Sequence, residues 1–185
     1  MPLATIASIE TPRLTLVPVA DAHLDDLMAV NGDDDVTRCV PYKTWEARAD
    51  AEAWLARMGK IIETGTAAQL VLLRREDGKA VGTLLLFKHD EGSRRIELGY
   101  ALGREWWGQG LMREAVEAAC RHAFDAMDIR RIEAEVNPTN TASCGLLARV
   151  GFVHEGTARQ RYTGKGATYD VNLYGLLASD RAAKP

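Results

Sequence analysis

At 185 residues, 46% hydrophobic and 26% charged, the chain has the length and composition of one globular domain, taken as residues 1–185, with a sizeable buried core. A net charge of -3 gives no electrostatic footprint for nucleic acid, and no apolar run approaches the roughly 20 residues of a membrane helix. The opening "MPLATIASIE" lacks the basic and apolar regions of a leader, so the expected location is cytoplasmic.

In chain order, "RLTLVPV" (13–19) alternates apolar and polar residues as a strand does, and Asp21 is placed to cap a short helix through Asn31. The block "DDD" at 33–35 reads as a solvated loop. From Thr44, apolar residues Ala51, Trp54, Leu55, Met58, Ile61 and Ile62 recur at helical spacing until Gly65. "AQLVLLRR" and "AVGTLLLFK" flank an Asp77-Gly78 turn, giving a hairpin over 68–88, and "RRIELGYAL" (94–102) is the next strand. A helix over about 110–127 leads to the alternating strand "RRIEAEV" (130–136), so a strand, a helix and a strand suggest a crossover between two nearly parallel strands. Asn137-Pro138 stops that strand. A short helix fits 141–150, with Asn140 as N-cap and Gly151 beyond its end. "GFVHEGT" and "TYDVNLYGLL" close the chain as two strands joined by a polar loop. The expected class is α/β (α+β), with a predominantly antiparallel N-terminal half.

The loop "REWWGQGLM" carries chemistry. N–H groups at a helix start lack internal partners and, with the helix dipole, attract anions; Gly108 and Gly110 let a phosphate reach that backbone. Two glycines also suit a plain tight turn. A P-loop, GxxxxGK followed by Ser or Thr, occurs nowhere, and a dinucleotide loop would need glycine at Arg113. Cys39, Cys120 and Cys144 lie far apart without metal-site spacing, and His89, His122 and His154 have no arrangement that singles any of them out.

Four stretches, "ETPRLTLVPV" (10–19), "ELGYALGREWWGQGLMREAVEAACRHAF" (97–124), "RRIEAEVNPTNTASCGLLARVGFVHEGT" (130–157) and "YDVNLYGLL" (169–177), have an order and spacing that span nearly the whole chain. In them the sequence resembles the Gcn5-related N-acetyltransferases (GNAT), in the branch that acetylates the N-termini of ribosomal proteins. The resemblance implies the GNAT fold, a mixed, mostly antiparallel central sheet flanked by helices, with acetyl-CoA in a wedge where the strands ending near Leu102 and Val136 splay apart. It implies pyrophosphate on the backbone of Gly108, Gln109, Gly110, Leu111 and Met112, with Trp107 bordering that loop. Pantetheine would pair with the main chain of Tyr100, Ala101 and Leu102, beside Asn137. Asn140 would bond the pantetheine arm, a role compatible with its capping the helix, and Arg149 would reach the CoA phosphates unless it merely lies on a solvated face.

Two departures from the family pattern stand out. Glu105 occupies the position where many members have Gln or Arg, with Arg104 beside it to offset the charge. Leu147 stands where many members carry a tyrosine proton donor, seven residues after the asparagine. The ribosomal-type branch resembles this chain in having a serine three residues after the asparagine, and Ser143 is therefore the expected acid for the CoA sulfur.

An α-amino group with pKa about 8 is roughly 10% neutral at pH 7, whereas a lysine is neutral in about one molecule in 2,500, so an N-terminus asks less of a base. Glu97, on the strand beside the expected thioester, is the candidate base, with a solvent-facing Glu–Arg pair as the plain alternative and Asp170 as second choice. Backbone N–H groups at the splay would polarise the carbonyl, and no cysteine is paired with a base for an acetyl-enzyme. The acceptor groove is expected between "VTRCVPYKTWEA" and "RQRYTGKGATY", floored by Tyr42, Trp45 and Tyr162, with the 33–35 acidic block attracting a cationic acceptor; Trp106 and Trp107 are expected to pack. Acceptors compatible with the residues are a peptide N-terminus, a small polyamine or amino acid, and an aminoglycoside. A CoA-binding sensor without catalysis is the alternative class. A homodimer is compatible with the family but fixed by nothing in the sequence.

Overall fold

The structure, a computed structural model, describes residues 6–181; residues 1–5 and 182–185, which hold the start of the segment read for a leader and both ends of the expected domain, lie outside it. Thirteen elements follow one another: β1 (Ile9–Glu10), β2 (Leu14–Pro18), α1 (Leu24–Asn31), α2 (Asp34–Thr37), α3 (Arg48–Glu63), β3 (Ala68–Arg74), β4 (Ala80–Asp90), β5 (Arg95–Leu102), α4 (Leu111–Ala126), β6 (Arg131–Val136), α5 (Thr141–Val150), β7 (Val153–Gly164) and β8 (Ala167–Leu177). They build an eight-stranded sheet in the order β1-β2-β3-β4-β5-β6-β8-β7. Every neighbouring pair is antiparallel except β5 and β6. The alternation and crossover patterns predict the α/β class and the antiparallel N-terminal half, and the mixed, mostly antiparallel sheet is the one the family resemblance implies.

Two helical layers cover the sheet because strand side chains alternate between faces. Leu14, Leu16, Leu70, Leu84, Ile96 and Ile132 point to one face and pack with α4 and α5. On α4 the buried set includes Ala115, Ala118, Ala119 and Ala123, whose small side chains bring the helix close to the strands. Leu24, Leu27, Trp54 and Met58 of α1 and α3 cover Val71, Ala80 and Ala101 on the opposite face.

The parallel pair positions the site. β5 and β6 pair only from Arg95 opposite Arg131 to Glu97 opposite Glu133. β5 then continues to Leu102 and β6 to Val136 without further pairing, so the sheet opens into a wedge just past Glu97.

Two local expectations are corrected. The acidic block at 33–35 is not a solvated loop: Asp33 caps the short helix α2 by accepting from the Asp35 N–H at 2.8 Å. The polar loop expected after "GFVHEGT" is strand instead, since β7 runs to Gly164 and turns back through Lys165 and Gly166, with φ of 52° and 77°. The register slips between Ala158 and Tyr162, where Gln160 takes φ 49° and donates its N–H to Asp170 Oδ1 at 2.9 Å. A bulge of this kind breaks the period of two, which is why the stretch carries no alternation to read.

Candidate active site

Past the splay, a cleft of about 410 Å³ opens between β5, β6, the start of α5, the segment after α2 and the β7–β8 hairpin. The Gly103 N–H donates to Val81 O at 2.9 Å, so Gly103 faces β4. By alternation the backbone groups of Leu98, Tyr100 and Leu102 then face away from β4, into the wedge. Leu102 O confirms that direction by accepting from the Trp107 indole N–H at 2.7 Å.

Glu97 and Tyr100 reach the wedge from opposite faces of β5. Glu97 is buried at 7% exposure, and its Oε2 accepts from the Lys88 ammonium at 2.7 Å. Burial raises the Glu97 carboxyl above the ordinary range, with the Lys88 hydrogen bond and charge pulling the other way. Lys88 reaches it from a bulge in β4, where Lys88 itself has φ 53° and the register slips between Phe87 and Asp90. On the other face, the Tyr100 hydroxyl lies 2.7 Å from Ser143 Oγ in the first turn of α5. Asn140 caps that helix, its Oδ1 accepting from the Ser143 N–H at 3.1 Å.

The glycine loop lies at the start of α4. Gly108 and Gly110 have φ of 72° and 77°, which glycine adopts without the cost an L side chain incurs. Among the described residues, no hydrogen bond engages the N–H groups of Gly108, Gln109 or Gly110. Arg13 braces the loop by donating from Nη1 to Gln109 O at 2.9 Å and from Nε to Glu114 Oε2 at 2.7 Å. Burial alone would raise the Glu114 carboxyl, but hydrogen bonds from Thr11 and Arg13 hold it below the ordinary range.

Residues 13–153 match the acetyltransferase (GNAT) domain family. The chain belongs to that family. It is similar to the uncharacterized N-acetyltransferase p20 of Bacillus licheniformis, 30% identical over 95% of this chain and 98% of the relative. The ribosomal protein uS5-alanine N-acetyltransferase of Escherichia coli strain K12 is 35% identical over 75% of this chain and 76% of that enzyme. Mycobacterium smegmatis RimJ in complex with CoA-disulfide shares the fold, with a TM-score of 0.86 at 24% identity over 97% of this chain and 91% of that one. The chain is thus a GNAT N-acetyltransferase related to ribosomal-protein acetyltransferases.

Within this acetyltransferase, Glu97, Tyr100, Ala101, Asn137, Asn140 and Ser143 all border the cleft. The Ala101 backbone is paired with Thr83 of β4, so Ala101 offers the cleft its side chain rather than its main chain. Asn137 Oδ1 is engaged by the Thr139 N–H and hydroxyl at 2.9 Å each. Trp107, 46% exposed, lies outside the cleft lining beside the glycine loop, and Leu111 and Met112 bury their side chains beneath α4. Arg149 lies exposed on α5, its Nη1 3.7 Å from where a Cβ on Gly145 would stand.

The two segments expected to form an acceptor groove meet at this cleft: Arg38, Cys39, Val40, Pro41 and Tyr42 face Tyr162, Lys165 and Tyr169. Lys165 Nζ donates to Thr37 O at 2.6 Å, fastening the β7–β8 turn across the opening. Trp45 departs from the expectation, being buried behind the groove against Trp54 at 5.4 Å, and Trp54 lines the floor in its place. The acidic block does not face the groove: Asp35 pairs with Arg104 at 3.0 Å and Asp34 accepts from Thr44. Arg104 therefore does not offset Glu105, which pairs with Lys79 at 3.4 Å.

Two features escaped the sequence. The Lys88 ammonium on Glu97 depends on a bulge that alternation hides. The Tyr100–Ser143 contact joins residues 43 apart, and no local spacing reports it. Leu147, at the position of the family tyrosine, is 0% exposed and packs in the core beneath α5.

Proposed function

We propose that this acetyltransferase moves the acetyl group of acetyl-CoA to the α-amino group of a protein or peptide N-terminus, by direct attack in a ternary complex. The observation that carries the reading is the buried Glu97 carboxylate with an ammonium 2.7 Å away, at the point where β5 and β6 part. That carboxylate already binds a primary ammonium, which is the chemistry an acceptor amine presents.

Acetyl-CoA, when bound, supplies an electrophilic thioester carbonyl and a thiol leaving group. Three features support its fit: the unengaged N–H groups of Gly108, Gln109 and Gly110, the inward-facing backbone of Leu98 and Tyr100, and an Asn140 amide whose oxygen alone is used by the cap. Glu97 takes the proton of the incoming ammonium, directly or through water, and its raised pKa suits a base working near neutral pH. The N–H groups of β5 facing the wedge polarise the carbonyl, and the Ser143 hydroxyl serves the departing sulfur. Arg149, exposed at the other end of α5, is assigned to the CoA phosphates on the family resemblance alone.

Acidic groups around the groove favour a singly charged amine over a polyamine or an aminoglycoside. Of the glutamates lining the cleft, Glu97 is matched by Lys88 and Glu135 by Arg161. Asp170 accepts from the Gln160 N–H. A polycation would have to displace both Lys88 and Arg161 to meet Glu97 and Glu135, whereas a peptide N-terminus has to displace Lys88 alone. The uS5-alanine specificity of the Escherichia coli relative points the same way. The test is thiol release from acetyl-CoA against N-terminal peptides, polyamines, amino acids and aminoglycosides. Turnover on peptides above the other classes supports the reading; turnover confined to small amines, or CoA binding with no turnover, overturns it.

A further inference from the structure

Ser143 has a weakness as a proton source. An aliphatic hydroxyl is a far weaker acid than a thiol of pKa about 8.5, so a lone serine that gave its proton to sulfur would be left as an unfavourable alkoxide. A phenol, ordinarily near 10 and here pushed by burial up to about 12, still lies closer than an aliphatic hydroxyl. The structure puts one against that serine: Tyr100 OH and Ser143 Oγ are 2.7 Å apart, and both border the cleft.

The chemistry of the pair sets its direction. The phenol is the stronger acid, so it donates and Ser143 Oγ accepts, leaving the serine O–H free to point into the cleft. The Ser143 N–H is held by Asn140, which fixes the first turn of α5 and with it the serine. Burial pushes the Tyr100 phenol up to about 12, so it stays protonated, and a donor, at any pH at which the enzyme is assayed.

We propose that Tyr100 is a positioning residue that aims the Ser143 hydroxyl at the thioester sulfur and replaces the proton Ser143 gives up. This rests on the acetyl-transfer reading. As the amine nitrogen bonds to the carbonyl carbon and the carbon–sulfur bond breaks, the electron pair of that bond goes to sulfur. The Ser143 proton moves to sulfur and the Tyr100 proton moves to Ser143 Oγ. Glu97 takes the proton of the ammonium before attack and passes it to solvent, and the second proton, lost by the nitrogen as the amide forms, reaches the phenolate through water once the thiol has left. The phenol at the wedge thus comes from β5, while Leu147 of α5 is packed in the core.

Calorimetric binding of CoA and desulfo-CoA, in which hydrogen replaces the thiol, tests the pair without any acceptor. Failure to find an acceptor therefore leaves this result readable. For the wild-type protein the preference for CoA is expected to grow between pH 7 and pH 9 to about tenfold or more, as for a hydrogen bond to a charged group. Tyr100→Phe is expected to remove as much of that preference as Ser143→Ala does, with the double variant losing no more. With any acceptor that turns over, kcat for Tyr100→Phe is expected to fall about tenfold to a hundredfold at nearly unchanged KM for acetyl-CoA. A wild-type CoA preference in Tyr100→Phe overturns the proposal, as does a preference that neither variant changes. Should Tyr100→Phe fail to fold, 3-fluorotyrosine at position 100 keeps the shape with a more acidic phenol. The preference for CoA then sets in at lower pH, and an unmoved onset overturns the proposal.

Discussion

Lys88 Nζ lies 2.7 Å from Glu97 Oε2, an ammonium more than half exposed resting on a carboxylate that is almost fully buried. A side chain with that exposure is readily displaced, since an exposed long cation gains little from being held in one geometry. The carboxylate has no such freedom, enclosed on β5 between β4 and the open end of β6. On the proposed reading the pair is a buried base with an exchangeable partner, which an acceptor amine would replace.

Removing Lys88 is expected to shift the pH at which activity fails on the acid side. Burial raises the Glu97 carboxyl, and Glu133 and Glu135 add to the rise, while Lys88 lowers it. In Lys88→Met the carboxyl rises further, so the acidic limb of kcat/KM is expected to move to higher pH. A pH–rate profile measures this, and an unmoved limb would mean that Glu97 is not the group whose ionisation limits the rate.

Glu97→Gln is expected to lower kcat by about 10²-fold to 10⁴-fold, the usual worth of a general base. Its effect on stability has the opposite sign. A carboxyl whose folded pKa exceeds its unfolded value lets the unfolded state ionise first, so stability falls as pH rises from the unfolded pKa through the folded one. Glutamine removes that fall. Tm measured from pH 4 to pH 7 should show the variant gaining on the wild type as pH increases; a variant that loses ground would show the ionised carboxylate to be stabilising.

Glycine-to-alanine changes separate the loop's backbone geometry from its proposed binding of pyrophosphate. A Cβ on Gly108 would meet nothing within 4 Å, so Gly108→Ala is strained only through its φ of 72°, at about 1 to 2 kcal/mol. The same Cβ stands where a phosphate would approach the backbone. Thermal denaturation should show the modest loss, while calorimetry should show CoA affinity reduced by about tenfold or more, as for loss of charge-assisted hydrogen bonds. Unchanged affinity would remove the pyrophosphate from this loop.

Leu147→Tyr is expected to restore nothing. Leu147 is fully buried among core side chains, so tyrosine there overpacks and costs about 1 to 3 kcal/mol. Turnover should not rise. A faster variant with unchanged melting would mean that position 147 faces the sulfur after all.

How much of this was legible in the sequence depended on the range of the interaction. The strand alternation at 13–19, 68–88 and 130–136 and the Asn140 and Gly151 caps are local, and each element formed where its pattern put it. The glycine loop was readable because its φ values demand glycine whatever the surroundings. The β7 extension was not, since a bulge at Gln160 erased the alternation. Asp33, Asp34 and Asp35 read as bare charge, yet their partners Arg104 and Thr44 come from other elements, and only folding brings them together. The site divides in the same way: Glu97, Ser143 and the Tyr100 main chain could be named by position, but the Lys88 ammonium on Glu97 and the Tyr100 hydroxyl on Ser143 could not.

The most direct test uses one peptide with an internal lysine, prepared with a free and with a blocked N-terminus, in a thiol-release assay with acetyl-CoA. Turnover on the free peptide that disappears when its N-terminus is blocked, and falls in Glu97→Gln, is the expected result. Equal turnover on both peptides would make lysine the acceptor and contradict direct transfer to an α-amino group.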